Sequence, residues 1–347
     1  MAHLPEMWLA APVLILLTIL PQQRAQVDAV VSFVMQREHI AGLSLAISRH
    51  GKLLYARGYG ERDLSQHTAT DAYTVFPVGS ILKQFIAAII LREFAQRHIS
   101  LLTPISRWFP TFTWGDRISI RDLLAQQSGI ASYTESPVGW EMLPLDFSPQ
   151  SSWEYSNTNY LLLGEILDRV TGEPWQSAVR KIASQEQLFS THTYWDPNAR
   201  NRATGYSWTT LGWRRQIPRA HEFSLIAAAG ALESNAIDLT TWLSALCRGD
   251  ILSSGQLHRM FLNRPLLDGR STNYGYGLFV RRWSNLTVIE HKGNLDGFSA
   301  DDALVPSNGV SVAVLTNENA IDLVPLTHSI VDMYAEPRSD VQACVAQ

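Results

Sequence analysis

Strand-like segments sit at the two ends of this chain, and the long middle between them reads as helix and loop. Near the start, Leu43-Ser44-Leu45-Ala46-Ile47-Ser48 alternates in the manner of a strand, His50-Gly51-Lys52 makes a tight turn, and Leu53-Leu54-Tyr55-Ala56 returns. Near the end, Tyr276–Val280, Thr287–His291, Ser299–Val305 and Val310–Leu315 are strand candidates with Gly, Asn or Pro between them. Strands must pair their backbone groups, so both sets belong in one antiparallel sheet that forms only when distant parts of the chain meet. Helical apolar spacing over Val27–Ile40 and Ile321–Tyr334 supplies helices to cover it. The expected class is α+β, an antiparallel sheet from N- and C-terminal strands flanked by helices. Residues 27–347 then form a single unit: 27–98 and 265–347 make its α/β part, around a mostly helical insertion at 99–264.

Inside the insertion, Ile118–Gln127, Asn159–Val170 and Ala236–Leu246 read as helices, and Tyr206–Trp208 with Trp213–Arg215 as a small hairpin. Residues Ala131–Ser152, with Pro137, Pro144 and Pro149, read as loop, as does the stretch from Gly58 and Gly60 to Thr70.

The apolar run Met7–Leu20 is too short for a membrane span and has the length of a signal-peptide core, so residues 1–26 are read as a leader and the protein as exported, periplasmic or secreted. No stable membrane span is expected after its removal. The two cysteines, Cys247 and Cys344, make no framework and no metal cluster; they can form one bridge in an oxidising compartment. A net charge of -4 with no basic stripe excludes nucleic acid as an expected partner. Of the 11 tryptophans, Trp140, Trp153, Trp208 and Trp213 fall in loop-like or hairpin segments, where they either line a cleft or pack the fold.

Chemistry enters at Val78-Gly79-Ser80-Ile81-Leu82-Lys83-Gln84-Phe85, which opens a helix running to Arg97 with Phe85, Ile86, Ile89, Ile90 and Phe94 as its buried stripe. On a helix Ser80 and Lys83 share one face, a turn apart. A serine hydroxyl is a poor nucleophile until a base takes its proton, and a lysine serves as that base when burial or a nearby cation lowers its pKa. Alone, Ser-x-x-Lys is a common pair on a solvated first turn. Two further stretches change its meaning: Trp153-Glu154-Tyr155-Ser156-Asn157-Thr158-Asn159-Tyr160 before a helix, and Glu290-His291-Lys292-Gly293-Asn294-Leu295-Asp296-Gly297-Phe298-Ser299 between two strands.

Together these stretches resemble the three signatures of the serine β-lactamase and penicillin-binding superfamily. The class C-like branch, with D-alanyl-D-alanine carboxypeptidases, D-aminopeptidases and β-lactamase-like esterases, is the nearest in pattern. The resemblance runs from Val27 to Tyr334. It implies that Ser80 is the acylated nucleophile, that Lys83 accepts or relays its proton, and that Tyr155 shuttles a proton to the leaving group. Asn157 would hold Lys83 and the substrate amide. His291 would face the cleft from an edge strand and orient a substrate carboxylate or assist Tyr155. Gly293 would allow close backbone approach, and the Asn294 N–H would pair with that of Ser80 as the oxyanion hole. A phenol titrates near ~10, so work as a base near neutrality requires cations such as Lys83 beside Tyr155.

Three positions depart from the family's pattern. His291-Lys292-Gly293 replaces Lys-Thr-Gly, and strand alternation turns Lys292 away from the His291 face. A histidine lacks the permanent charge that holds a carboxylate, which favours esters and D-amino acid amides over penicillins. Gln150 stands where relatives carry glycine, and Ala125-Gln126-Gln127 replaces Thr-His-Thr; neither is expected to touch the chemistry. The sequence therefore describes an exported serine hydrolase without cofactor or metal, acting on a small-molecule or peptide substrate. The alternatives are a β-lactamase proper and a non-hydrolysing penicillin sensor. No Gly-x-Ser-x-Gly elbow supports a lipase of the α/β-hydrolase kind.

Overall fold

A computed structural model describes residues 21–132, 140–142, 144–193, 201–216, 226–335 and 344. The apolar run Met7–Leu20 and Pro137 of the long loop lie outside the described residues. The first helix, α1 (Pro21–Arg37), starts immediately after that run, so a cut near residue 26 would fall within it.

Strands β1 (Gly42–Arg49) and β2 (Lys52–Asp63) form the N-terminal hairpin, and β3 (Thr68–Ala69) pairs with the end of β2. The strand β2 runs through Gly58 and Gly60, which the sequence reading placed in a loop. Both lie close against neighbouring backbone, where a Cβ would collide with Asp71 and Ala41, so glycine here marks close packing and not chain reversal. The short strand β4 (Phe76–Pro77) leads to a 3-10 turn (Gly79–Ile81) and to α2 (Leu82–Gln96). Helices α3 (Ile120–Leu124), α4 (Asn157–Thr171) and α5 (Trp175–Gln185) follow, then the hairpin β5 (Gly205–Thr209) and β6 (Gly212–Gln216), and β7 (Glu233–Ser234). Helices α6 (Ala236–Arg248) and α7 (Ser254–Phe261) precede β8 (Phe279–Trp283), β9 (Leu286–Leu295), β10 (Phe298–Val305), β11 (Val310–Thr316) and α8 (Val324–Tyr334).

The main sheet among the described residues has 7 strands in the order β3-β2-β1-β11-β10-β9-β8, so the chain's two ends meet where β1 pairs antiparallel with β11. Every residue of β10 and β11 is buried. The reason is a layer on each face. Val27 and Val31 of α1 and Ile330 and Val331 of α8 pack with Leu43, Leu45, Ile47, Val312 and Val314 on one side. On the other, α2 and α6 pack against Ala46, Ala300, Ala313 and Leu315.

Helix α2 is enclosed more completely than its apolar stripe suggests. Every residue from Leu82 to Leu91 is buried, including Lys83 and Gln84, because the sheet covers one side and α4, α5 and α7 the other. A helix apolar on nearly all sides is a core helix, and it carries its few polar groups into a dry interior. Cys247, at the end of α6, is disulfide-bonded to Cys344, closing a loop of 97 residues.

Candidate active site

The approach to Ser80 is held from both sides. Phe76–Pro77 pairs with Glu233–Ser234, and Val78 N donates to Leu232 O at 2.9 Å, so the segment before Ser80 and the segment after Ala229 form one small ladder. Gly79 takes φ +54, the left-handed region that glycine enters without strain. A Cβ there would sit 3.2 Å from Asn294 N, and one on Gly293 would collide with Val78 O. Those two glycines let the 3-10 turn and β9 close on each other, and the Asn294 N borders the peptide that leads into Ser80. Strand β8 pairs with β9 only as far as Glu290, so His291–Leu295 has that side free to meet the turn. His291 therefore lies on the second strand of the sheet beyond the reach of the edge strand, not on the edge strand itself.

Lys83 is fully buried, with its Nζ 3.0 Å from Ser80 Oγ, 2.9 Å from Asn157 Oδ1 and 2.5 Å from Ala229 O. Burial lowers its pKa well below the ordinary lysine range. A neutral amine has two N–H donors and one lone pair. Here the two obligate acceptors, Asn157 Oδ1 and Ala229 O, take the donors, and the lone pair is left for the Ser80 O–H. The ammonium also finds acceptors in this set, but it loses its hydration on entering the core, and that loss is what lowers its pKa.

Tyr155 comes from the turn before α4. Its ring lies 4.9 Å from Lys83 Nζ, and its hydroxyl 3.5 Å from His291 Nε2. Burial raises its pKa above the usual phenol value, with the Ser80 contact opposing weakly. Of the two routes for Tyr155, as a phenolate or through Lys83, burial disfavours the phenolate, because the same dry interior also lowers the Lys83 pKa. Tyr155 is a phenol, a proton donor at rest.

His291 is 1% exposed. Its pKa falls to about 3, chiefly through burial; Lys83 pushes the same way whenever it is charged, while the Lys292 carbonyl opposes the shift. Nδ1 lies 2.7 Å from Lys292 O, an acceptor, so Nδ1 carries the ring proton and Nε2 a bare lone pair. Lys292 points to the opposite face and reaches Asp322 at 3.4 Å. The group that heads the third motif is a neutral hydrogen-bonding imidazole.

Several participants were not visible from the motifs. Tyr274 places its hydroxyl 3.4 Å from His291 Nε2; nothing in Asn273-Tyr274-Gly275 signals that contact. The Ala229 carbonyl acts through backbone, which no side-chain pattern reports. Gln126 does not touch the reacting groups directly, as expected of this departure, but its Oε1 accepts from Ser156 N at 3.1 Å and Asn159 Nδ2 at 2.6 Å, fixing the turn that carries Tyr155 and Asn157. Gln150 sits at φ +66, the conformation that explains glycine at such a position. Below the site, Asp302 Oδ1 accepts from Gln84 Nε2 at 2.6 Å and from the His291 backbone N at 3.2 Å, linking α2 to β9. Burial raises the Asp302 pKa to about 8.

A seven-stranded antiparallel sheet with this helical layer and a serine–lysine pair at the head of its buried helix defines the serine β-lactamase and penicillin-binding fold. The chain belongs to the Beta-lactamase family, whose profile matches residues 27–326. It is 28% identical to Protein flp of Staphylococcus aureus strain MRSA252 over 326 residues, covering 85% of this chain and 63% of that protein. The chain thus spans less than two thirds of the length of that relative. Among solved structures, D-amino acid amidase from Ochrobactrum anthropi SV3 superimposes with a TM-score of 0.81 at 22% identity, over 92% of this chain and 100% of that one. A D-stereospecific amidohydrolase from a Streptomyces species matches at a TM-score of 0.76 and 26% identity, again over 92% of this chain and 100% of that one. Both of these structural neighbours are named as hydrolytic enzymes.

Proposed function

We propose that the protein is an exported serine hydrolase that transfers an acyl group to Ser80 and then to water. The observation that carries this reading is the set of partners around Lys83 Nζ, two obligate acceptors and one hydroxyl, which suits a neutral amine awaiting a proton. Lys83 takes the Ser80 proton as Oγ bonds to the substrate carbonyl carbon. The N–H groups of Ser80 and Asn294 receive the oxyanion, each such donor being worth ~3 kcal/mol in the transition state. Tyr155 gives its proton to the leaving group as the carbonyl–heteroatom bond breaks, and the Lys83 ammonium restores it. Water then attacks the acyl-Ser80, the same groups accept its proton and return it to Ser80 Oγ as the ester bond breaks, and free acid leaves.

The substrate class is a small ester or a D-amino acid amide or peptide. Neutral His291 offers no fixed charge to a substrate carboxylate, which disfavours penicillins. The names of the amidase and the amidohydrolase above agree with an amide-cleaving variant of this chemistry. Export is supported by the apolar run Met7–Leu20 and by the Cys247–Cys344 disulfide, since such bonds persist in oxidising compartments. Among the described residues no helix is long and apolar enough to cross a membrane.

The deciding experiment compares wild type with Ser80→Ala on short-chain nitrophenyl esters, D-phenylalaninamide, D-alanyl peptides and a chromogenic cephalosporin. Turnover of an ester or D-amide that vanishes in Ser80→Ala is the expected result. Full activity in that variant removes Ser80 from the role. A stable acyl adduct without turnover makes the protein a sensor, and preference for the cephalosporin makes it a β-lactamase.

A further inference from the structure

Two phenol hydroxyls converge on one imidazole nitrogen. His291 Nε2 lies 3.4 Å from the Tyr274 hydroxyl and 3.5 Å from that of Tyr155. The ring proton is on Nδ1, donated to Lys292 O, so Nε2 has a single in-plane lone pair for two candidate donors. Both contacts are longer than the usual hydrogen-bond length, as expected where one acceptor is shared.

The two phenols differ in what else they can do. Tyr274 is 0% exposed and its ring is fixed edge-on against Tyr155 and Phe279, with centroids 6.4 Å and 4.9 Å away. Gln126 offers the Tyr274 proton no acceptor, since Gln126 Oε1 is already taken by Ser156 N and Asn159 Nδ2. The Tyr274 proton must therefore go elsewhere, and a buried unmet donor costs ~1–3 kcal/mol. Its two available acceptors are His291 Nε2 and the Tyr160 oxygen, whose own proton is spent on Leu124 O at 3.0 Å. An imidazole nitrogen is the stronger acceptor. Tyr155, by contrast, has a second partner in Ser80, so its O–H can stay satisfied without His291.

We propose that Tyr274 is a positioning residue that occupies the lone pair of His291 Nε2 and so leaves the Tyr155 O–H free to protonate the leaving group. The inference rests on the reading of Tyr155 as the leaving-group acid. Tyr155 has one proton. If that proton is tied to His291 in the ground state, it must be pulled away before it can serve the reaction. Tyr274→Phe keeps the ring and removes the competing hydroxyl, so the lone pair passes to Tyr155 and departure of basic leaving groups slows.

The test uses two esters of one acid. Nitrophenolate leaves without a proton, whereas ethoxide needs one. In Tyr274→Phe, kcat/KM for ethyl butyrate is expected to fall about tenfold more than kcat/KM for p-nitrophenyl butyrate, within the range of general-acid contributions. A merely structural defect lowers both alike, and that result overturns the proposal, as does no change in either. Tyr155→Phe separates the premises: a larger selective loss supports both, while an equal loss on the two esters removes Tyr155 as the acid and the proposal with it. The imidazole 15N resonances give a readout that needs no turnover. Because Tyr274 holds the lone pair in wild type, Tyr155→Phe should leave the His291 Nε2 resonance unmoved, and the Tyr155→Phe/Tyr274→Phe double variant should move it downfield. A downfield move in Tyr155→Phe alone, or an unmoved resonance in the double variant, overturns the proposal, including where wild type cleaves neither ester.

Discussion

Lys83 and Asn157, on different helices, are joined by a 2.9 Å contact from Nζ to Oδ1, a neutral partner that leaves the effect of burial on the lysine unopposed. An amide oxygen satisfies one amine N–H without supplying a charge. The lysine is thus fully bonded and still free to lose its proton.

Replacing that amide by a carboxylate should reverse the balance. In Asn157→Asp an anion about 3 Å from Nζ favours the ammonium and raises the Lys83 pKa by about 1–3 units. Hydrolysis at pH 7 is expected to fall about 10- to 1,000-fold and to recover as pH rises. Its pH–rate profile checks this; an acid limb at the wild-type position contradicts it.

Close approach of β9 to the 3-10 turn depends on the missing side chain at Gly293. In Gly293→Ala the new methyl group meets the Val78 carbonyl, and β9 must draw back with Asn294 N. Losing one oxyanion donor costs about 100- to 1,000-fold in kcat. Steady-state kinetics measures the loss, and a thermal melt shows whether the fold is retained.

Asp302 makes stability fall with pH. Its carboxyl titrates at about 8 in the folded chain and near 3.8 when unfolded, so between those values the folded form keeps a proton that the unfolded form has released. Stability present at the acid end of that window is then lost at up to ~1.4 kcal/mol per pH unit. His291 acts in the opposite sense: its folded pKa of about 3 lies below its unfolded value, so its contribution is lost as pH drops below about 6.5. Asp302→Asn keeps an acceptor for Gln84 Nε2 and removes the titration. Melting temperatures at pH 5 and pH 8.5 should lie closer together in the variant than in wild type.

Reduction should weaken the fold. The Cys247–Cys344 bond closes a loop of 97 residues, and removing such a constraint costs ~2–4 kcal/mol. Chemical denaturation with and without reductant measures it, and mass spectrometry should find no free thiol in the native protein.

Much of the fold was legible because its elements have strong local patterns. The strands β1 and β11 lie in apolar-rich stretches, and helix α4 ends at Gly172 as its sequence suggests. Boundaries moved where neighbours intervened. Helix α3 shrank to Ile120–Leu124 under a capping box between Ser119 and Asp122, and β2 continued through glycines that read as loop. The site divides in the same way. Ser80 with Lys83, and Tyr155 with Asn157, were visible as spaced pairs. Tyr274, Gln126 and the Ala229 carbonyl were not, because their contacts join segments that share no local pattern.

By itself the sequence determined the α+β class and placed Ser80 one helical turn from Lys83, since covalent spacing and side-chain period settle both. Only the tertiary structure decided that burial lowers the Lys83 and His291 pKa values and raises that of Tyr155, and that a second phenol reaches His291. A protonation state is set by the loss of water around the group. That loss comes from packing a helix, a sheet strand and a distant turn together, and no single stretch of chain encodes it.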